Sequence, residues 1–114
     1  MLAVAAVLFA LAAVNGLALA TCFFMAKPRP FPLAMVHLAF AASGLVTLAW
    51  AVWKDNGSVM LANVALGIMF VVALAGFVQL SFRLRNMPLY TPLLLAHALG
   101  AITGFLVLLV AVMV

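Results

Sequence analysis

PLAMVHLAFAASGLVTL, residues 32–48, and PLLLAHALGAITGFLVL, residues 92–108, decide how this chain is read. Each is an apolar run entered through a proline, with a histidine five residues in and a glycine seven residues further on. Between them they hold the chain's only two histidines, His37 and His97.

Neither run suits the surface of a soluble domain, and the rest of the chain is like them. Of 114 residues, 72% are hydrophobic and 5% charged, against about 25% charged in soluble proteins. A helix needs about 20 apolar residues to cross the hydrocarbon. Four stretches qualify: Met1 to Ala26, Phe31 to Trp53, Ser58 to Phe82 and Pro88 to Val114. They predict an all-α fold, a four-helix transmembrane bundle in a lipid bilayer, with residues 1–114 as one transmembrane domain. Long continuous apolar runs do not fit the alternation of a membrane barrel.

LALATC, Leu17 to Cys22, resembles a lipoprotein cleavage site. No positive charge precedes the run, however, and it is longer than a signal-peptide core, so the first helix is expected to be retained. Cys22 is the only cysteine, which rules out an internal disulfide and leaves a small apolar residue as its expected role. The net charge of +4 reads as a topology signal and not as a nucleic-acid footprint. Lys27 and Arg29 fall between the first two helices and Arg83 and Arg85 at the end of the third, while Lys54 on the opposite side is offset by Asp55. Short loops rich in Lys and Arg stay in the cytoplasm. The expectation is an integral protein of a bacterial inner membrane with both termini outside.

Shifting the sequence by 60 aligns residues 1–54 with 61–114 without a gap. About 13 positions are identical where a chain of this composition gives about five or six by chance. The rarer residues carry the argument: Gly16 meets Gly76, Pro28 meets Pro88, Pro32 meets Pro92, His37 meets His97 and Gly44 meets Gly104. Two helices per half make the repeats parallel, related by an axis along the membrane normal. His37 and His97 then share one depth, roughly 8 Å in from the cytoplasmic edge. In a square of neighbouring antiparallel helices the second and fourth are diagonal, about 13 Å apart, which predicts rings too far apart to touch but placed to grip something flat.

A histidine in hydrocarbon is a functional candidate by default, and imidazole is the usual axial ligand of haem iron. The chain offers one from each half, which predicts one haem b per chain between His37 and His97. Gly16, Gly44, Gly76 and Gly104 are the candidates for letting a macrocycle approach the backbone, and Arg83 or Arg85 for meeting a propionate. Ser43 and Thr103 are expected to bond back to their own helices. Asn15, whose counterpart is Ala75, is expected to bond to another helix.

Two inward histidines on alternate helices of a four-helix bundle resemble the haem-binding core of membrane b-type cytochromes. The resemblance is architectural and covers the whole chain. Many of those cytochromes carry four histidines for two haems; this chain has no pair near the outer face, which puts a haem relay across the membrane in doubt. The implied function is one-electron transfer near the cytoplasmic face, to or from a quinone or a redox protein, by a homodimer or a subunit of a larger membrane complex. Independent enzyme chemistry has little to work with, since Asp55 is the only carboxylate.

Other readings stand beside this one. A chlorophyll-binding protein would use one histidine per magnesium, although Leu33 and Leu93 occupy the positions four before each histidine, where light-harvesting helices usually have a small residue. A cofactor-free structural or assembly subunit would use the histidines to join helices. A transporter fits less well, because no charged or unwound element faces a site.

Overall fold

The computed structural model describes all 114 residues. Four helices fill them: α1 (Leu2–Phe24), α2 (Phe31–Lys54), α3 (Met60–Leu84) and α4 (Thr91–Met113). Each is long and apolar enough to cross a membrane. The bundle is 43 Å long and 18–19 Å across, enough to bridge a hydrocarbon core of about 30 Å. In this all-helical bundle α1 packs along α2 and α3 along α4. The two hairpins meet more sparsely, α1 with α4 and α2 with α3, which makes a square with α2 and α4 on one diagonal.

Helix ends follow local chemistry. Pro32 and Pro92 sit in the first turns of α2 and α4, where the missing N–H is no loss. The expected start of the last helix at Pro88 is corrected to Thr91: residues 87–90 lie outside any helix, and the residue before a proline disfavours helical backbone. The third helix runs past the expected Phe82 to Leu84, taking Arg83 into its last turn.

Three helices end on a left-handed residue, Ala26 (φ 55°), Asn56 (φ 53°) and Asn86 (φ 56°). In each case the next amide reaches back to close the end: Lys27 N–H to the Cys22 carbonyl, Gly57 to Val52, and Met87 to Phe82, the Schellman pattern. Ala26 is the costly member, because a Cβ disfavours this backbone while asparagine tolerates it. Asn63 secures the α2–α3 connection by donating from Nδ2 to the Gly57 carbonyl at 2.7 Å.

The packed core is confined to one half of the bundle's length. Ala5, Ala6, Phe9, Leu48, Ala65, Met69 and Leu108 form it, with Leu48 and Leu108 wholly buried. All seven lie on the side of the histidines away from Arg29 and Arg83. From the histidines to the basic end, the only buried side chain beyond Ala12 is Gln79.

Candidate functional site

Each histidine reaches from its own helix to a backbone carbonyl of the other helix in its hairpin. His37 Nδ1, on α2, lies 2.7 Å from the Ala12 carbonyl oxygen on α1. His97 Nδ1, on α4, lies 2.8 Å from the Val72 carbonyl oxygen on α3. A carbonyl oxygen can only accept, so Nδ1 carries the hydrogen and, in the neutral ring, Nε2 keeps its lone pair. The same contact therefore appears twice, at positions 12 and 37 and at 72 and 97, a spacing of 60 in both partners.

Glycine makes this reach possible. In a continuous helix the Ala12 carbonyl already serves the Gly16 amide, so the imidazole arrives as a second donor across Gly16. A Cβ on Gly16 would stand 2.9 Å from His37 Cε1 and 3.2 Å from Nδ1; one on Gly76 would stand 3.0 Å from His97 Cε1. Gly16 and Gly76 thus seat the imidazole rings. At Gly44 the ring of Phe9 fills the space, its nearest atoms 3.1 Å from where a Cβ would be, and at Gly104 Ile68 and the Met69 sulfur do so at 3.0 Å. Those two glycines lie against the packed core.

The rings approach more closely than the helix axes suggest. Their centroids are 6.2 Å apart with planes at 76°, which corrects the expectation of rings too far apart to touch. The diagonal measures axis to axis, whereas each Cα already stands about 2.3 Å off its axis and each side chain extends further inward. With metal–imidazole bonds of about 2.0–2.1 Å, as for zinc, two imidazoles on opposite sides of one metal have centroids roughly 6.3 Å apart. The observed centroid separation is close to that figure, and neither Nε2 makes a hydrogen bond. No cluster of three or more His, Cys, Asp or Glu side chains exists that could hold a metal unaided.

His97 also borders a groove of about 640 Å³ on the α3–α4 face, lined by Gly67, Val71, Ala75 and Gly100 among others. Positions 60 residues earlier carry Val7, Leu11, Asn15 and Phe40, so the two hairpins differ on this face. The groove is walled almost entirely by apolar atoms.

The remaining candidates are placed as follows. Arg83 Nη2 donates to the Arg29 carbonyl at 2.6 Å, and its guanidinium lies 5.3 Å from the Phe31 ring centroid. Arg85 folds back onto its own helix, donating to the Ser81 carbonyl and to Ser81 Oγ. Gln79, one turn before Arg83, donates from Nε2 to the Tyr90 carbonyl at 2.8 Å, while its buried Oε1 has no partner. Asn15 bonds to Leu11 of its own helix at 2.8 Å, which corrects the expected bond to another helix: a short polar side chain within a helix can reach the carbonyl one turn back. Thr103 likewise bonds to Leu99. Arg29, one of the four basic residues on the side where propionates would need partners, has its Nη1 buried without a partner. Comparison with known protein families, with curated proteins and with solved structures finds no match.

Proposed function

We propose that this chain is a membrane electron-transfer protein that holds one haem b between His37 and His97. The observation that carries the proposal is the pair of Nδ1–carbonyl bonds. Ligating histidines almost always donate their other ring N–H to a carbonyl or carboxylate, which fixes the tautomer and aims the lone pair. Both histidines here have that arrangement, and their ring centroids, 6.2 Å apart, are close enough for the two residues to share one prosthetic group.

Within this reading each residue has a task. His37 and His97 supply the two ligands; the Ala12 and Val72 carbonyls hold their rings in one tautomer; Gly16 and Gly76 leave room for those rings. A haem held by these two histidines would supply reversible one-electron chemistry. Arg83 stays a candidate for a propionate at the basic end. Arg85 is the weaker of the two because its side chain turns back to Ser81. The apolar groove beside His97 favours a lipid-soluble redox partner of the quinone class over a protein. We place the basic end in the cytoplasm and both termini outside, from the bias of Lys and Arg, and read residues 1–54 and 61–114 as parallel repeats.

The test is an absorption spectrum of the purified protein, oxidised and then reduced with dithionite. A sharp reduced band of low-spin haem b, lost in both His37→Ala and His97→Ala, is expected. A colourless folded protein after expression with ample haem rejects the reading. Long-wavelength pigment bands would point to chlorophyll. The second reading is a cofactor-free assembly subunit. It is favoured by the same bonds seen differently, since each histidine also ties the two helices of its hairpin together.

A further inference from the structure

Four of the five basic side chains stand at one end of the bundle, Lys27, Arg29, Arg83 and Arg85, while the only carboxylate side chain, Asp55, lies in the α2–α3 connection at the other end with both termini. At the basic end the bond from Arg83 to the Arg29 carbonyl draws the end of α3 against the α1–α2 connection. Each guanidinium lies by an aromatic ring, Arg29 at 5.4 Å from Phe23 and Arg83 at 5.3 Å from Phe31. Arg29 Nη1 is closed off from solvent and has no hydrogen-bond partner. Burial pushes the Arg29 pKa down, and the neighbouring Arg83 charge pushes the same way. A buried N–H of a charged group with no acceptor is expensive, more so beside a second cation. No side-chain carboxylate of the chain is at this end to relieve it.

We infer that Arg29 and Arg83 form a binding site for the phosphate of an anionic phospholipid, set between the two hairpins at the basic membrane surface. Guanidinium presents paired N–H groups that match phosphate oxygens, and basic pockets between spanning helices take anionic head groups. The position, at the last turn of α3 and just ahead of α2, is head-group depth. Phe23 and Phe31 provide apolar surface beside the charges for the first acyl carbons. A lipid held there bridges α3 to the α1–α2 connection, and so one hairpin to the other. The site does not depend on a haem, and in it Arg83 meets the lipid and not a propionate.

The test uses the full-length protein, delipidated in detergent and offered phosphatidylglycerol or phosphatidylcholine in mixed micelles, with retained lipid read by mass spectrometry of the intact complex. Phosphatidylglycerol should be retained roughly tenfold better than phosphatidylcholine, a difference of about 1.4 kcal/mol. Arg29→Gln should abolish the preference, and Arg85→Gln should keep it. Arg29→Gln removes no side-chain hydrogen bond within the chain, so its effect does not hinge on folding. Equal retention of the two lipids, or a preference unchanged in Arg29→Gln, overturns the inference. Full displacement of phosphatidylglycerol by millimolar inorganic phosphate reassigns the site to the free ion. Loss of the preference in His37→Ala, with Arg29 intact, reassigns the anion to a group held by the histidines.

Discussion

Gly16→Ala tests the site at its tightest point. The new Cβ would stand 2.9 Å from His37 Cε1 and 3.2 Å from Nδ1, so the ring has to move, and the bond to the Ala12 carbonyl goes with it. That bond is worth about 0.5–1.5 kcal/mol net, and forcing a group into a filled space costs about 1–3 kcal/mol. Against this, alanine in a helix interior gains about 0.5–1 kcal/mol over glycine. The balance is a destabilisation of about 0.5–4 kcal/mol. Gly67→Ala is the internal control: nothing lies within 4 Å of its added Cβ, so only the helix gain remains and the protein should become more stable by up to about 1 kcal/mol. Reversible unfolding of both variants in one detergent, followed by circular dichroism, gives the comparison. If Gly16→Ala is as stable as Gly67→Ala, the ring is not seated on Gly16 as described. If a haem is bound, Gly16→Ala should also shift or broaden its reduced band, whereas Gly67→Ala should not.

Three further substitutions probe other parts of the fold. Ala26→Gly should raise stability by about 1 kcal/mol, because φ 55° disfavours any residue with a Cβ; a fall in the unfolding midpoint would contradict the helix ending described. Leu48→Ala opens a cavity at a wholly buried position and should cost about 2–3 kcal/mol, at the low end of the range for soluble cores because lipid already solvates the unfolded side chain. Unfolding unchanged by Leu48→Ala would remove that residue from the core. Gln79→Leu deletes both an orphaned Oε1 and one bond to the Tyr90 carbonyl. That carbonyl keeps its bond from the Leu94 amide, so stability should change by less than about 1 kcal/mol in either direction. A loss of several kcal/mol would mean that Oε1 has a partner.

The four spans were legible in composition alone, since no other arrangement of a chain so poor in charge satisfies the backbone. Their ends were less legible where two signals compete. Pro88 and Pro92 both offer a helix start, and only Pro92 falls in a first turn. The histidines were legible as a pair because the shift by 60 aligns them, but their acceptors were not. A backbone carbonyl has no side-chain signature, and Ala12 and Val72 look like any other apolar residue. The glycines stand out in the sequence as places where a macrocycle could approach the backbone, but the side chains that approach them have no signature there: an imidazole at Gly16 and Gly76, Phe9 at Gly44, Ile68 and Met69 at Gly104. The one-sided core was hidden for a related reason. When nearly every residue is apolar, the period that marks an inward face of a soluble helix is flattened. The approach of Arg83 to Arg29 has no signature in the sequence, where the two are 54 residues apart.

The placement of that core has a mechanical consequence. Phe9, Leu48, Met69 and Leu108 lock the two hairpins together near the ends that carry the termini, and beyond the histidines little holds them except the strap from Arg83 to Arg29. The molecule is a pair of tongs, with its fulcrum at the packed end and its jaws at the basic end. A rotation at the fulcrum would be multiplied along the length of the helices and would part the basic end more than the core. The bond from Arg83 to the Arg29 carbonyl stands across that opening.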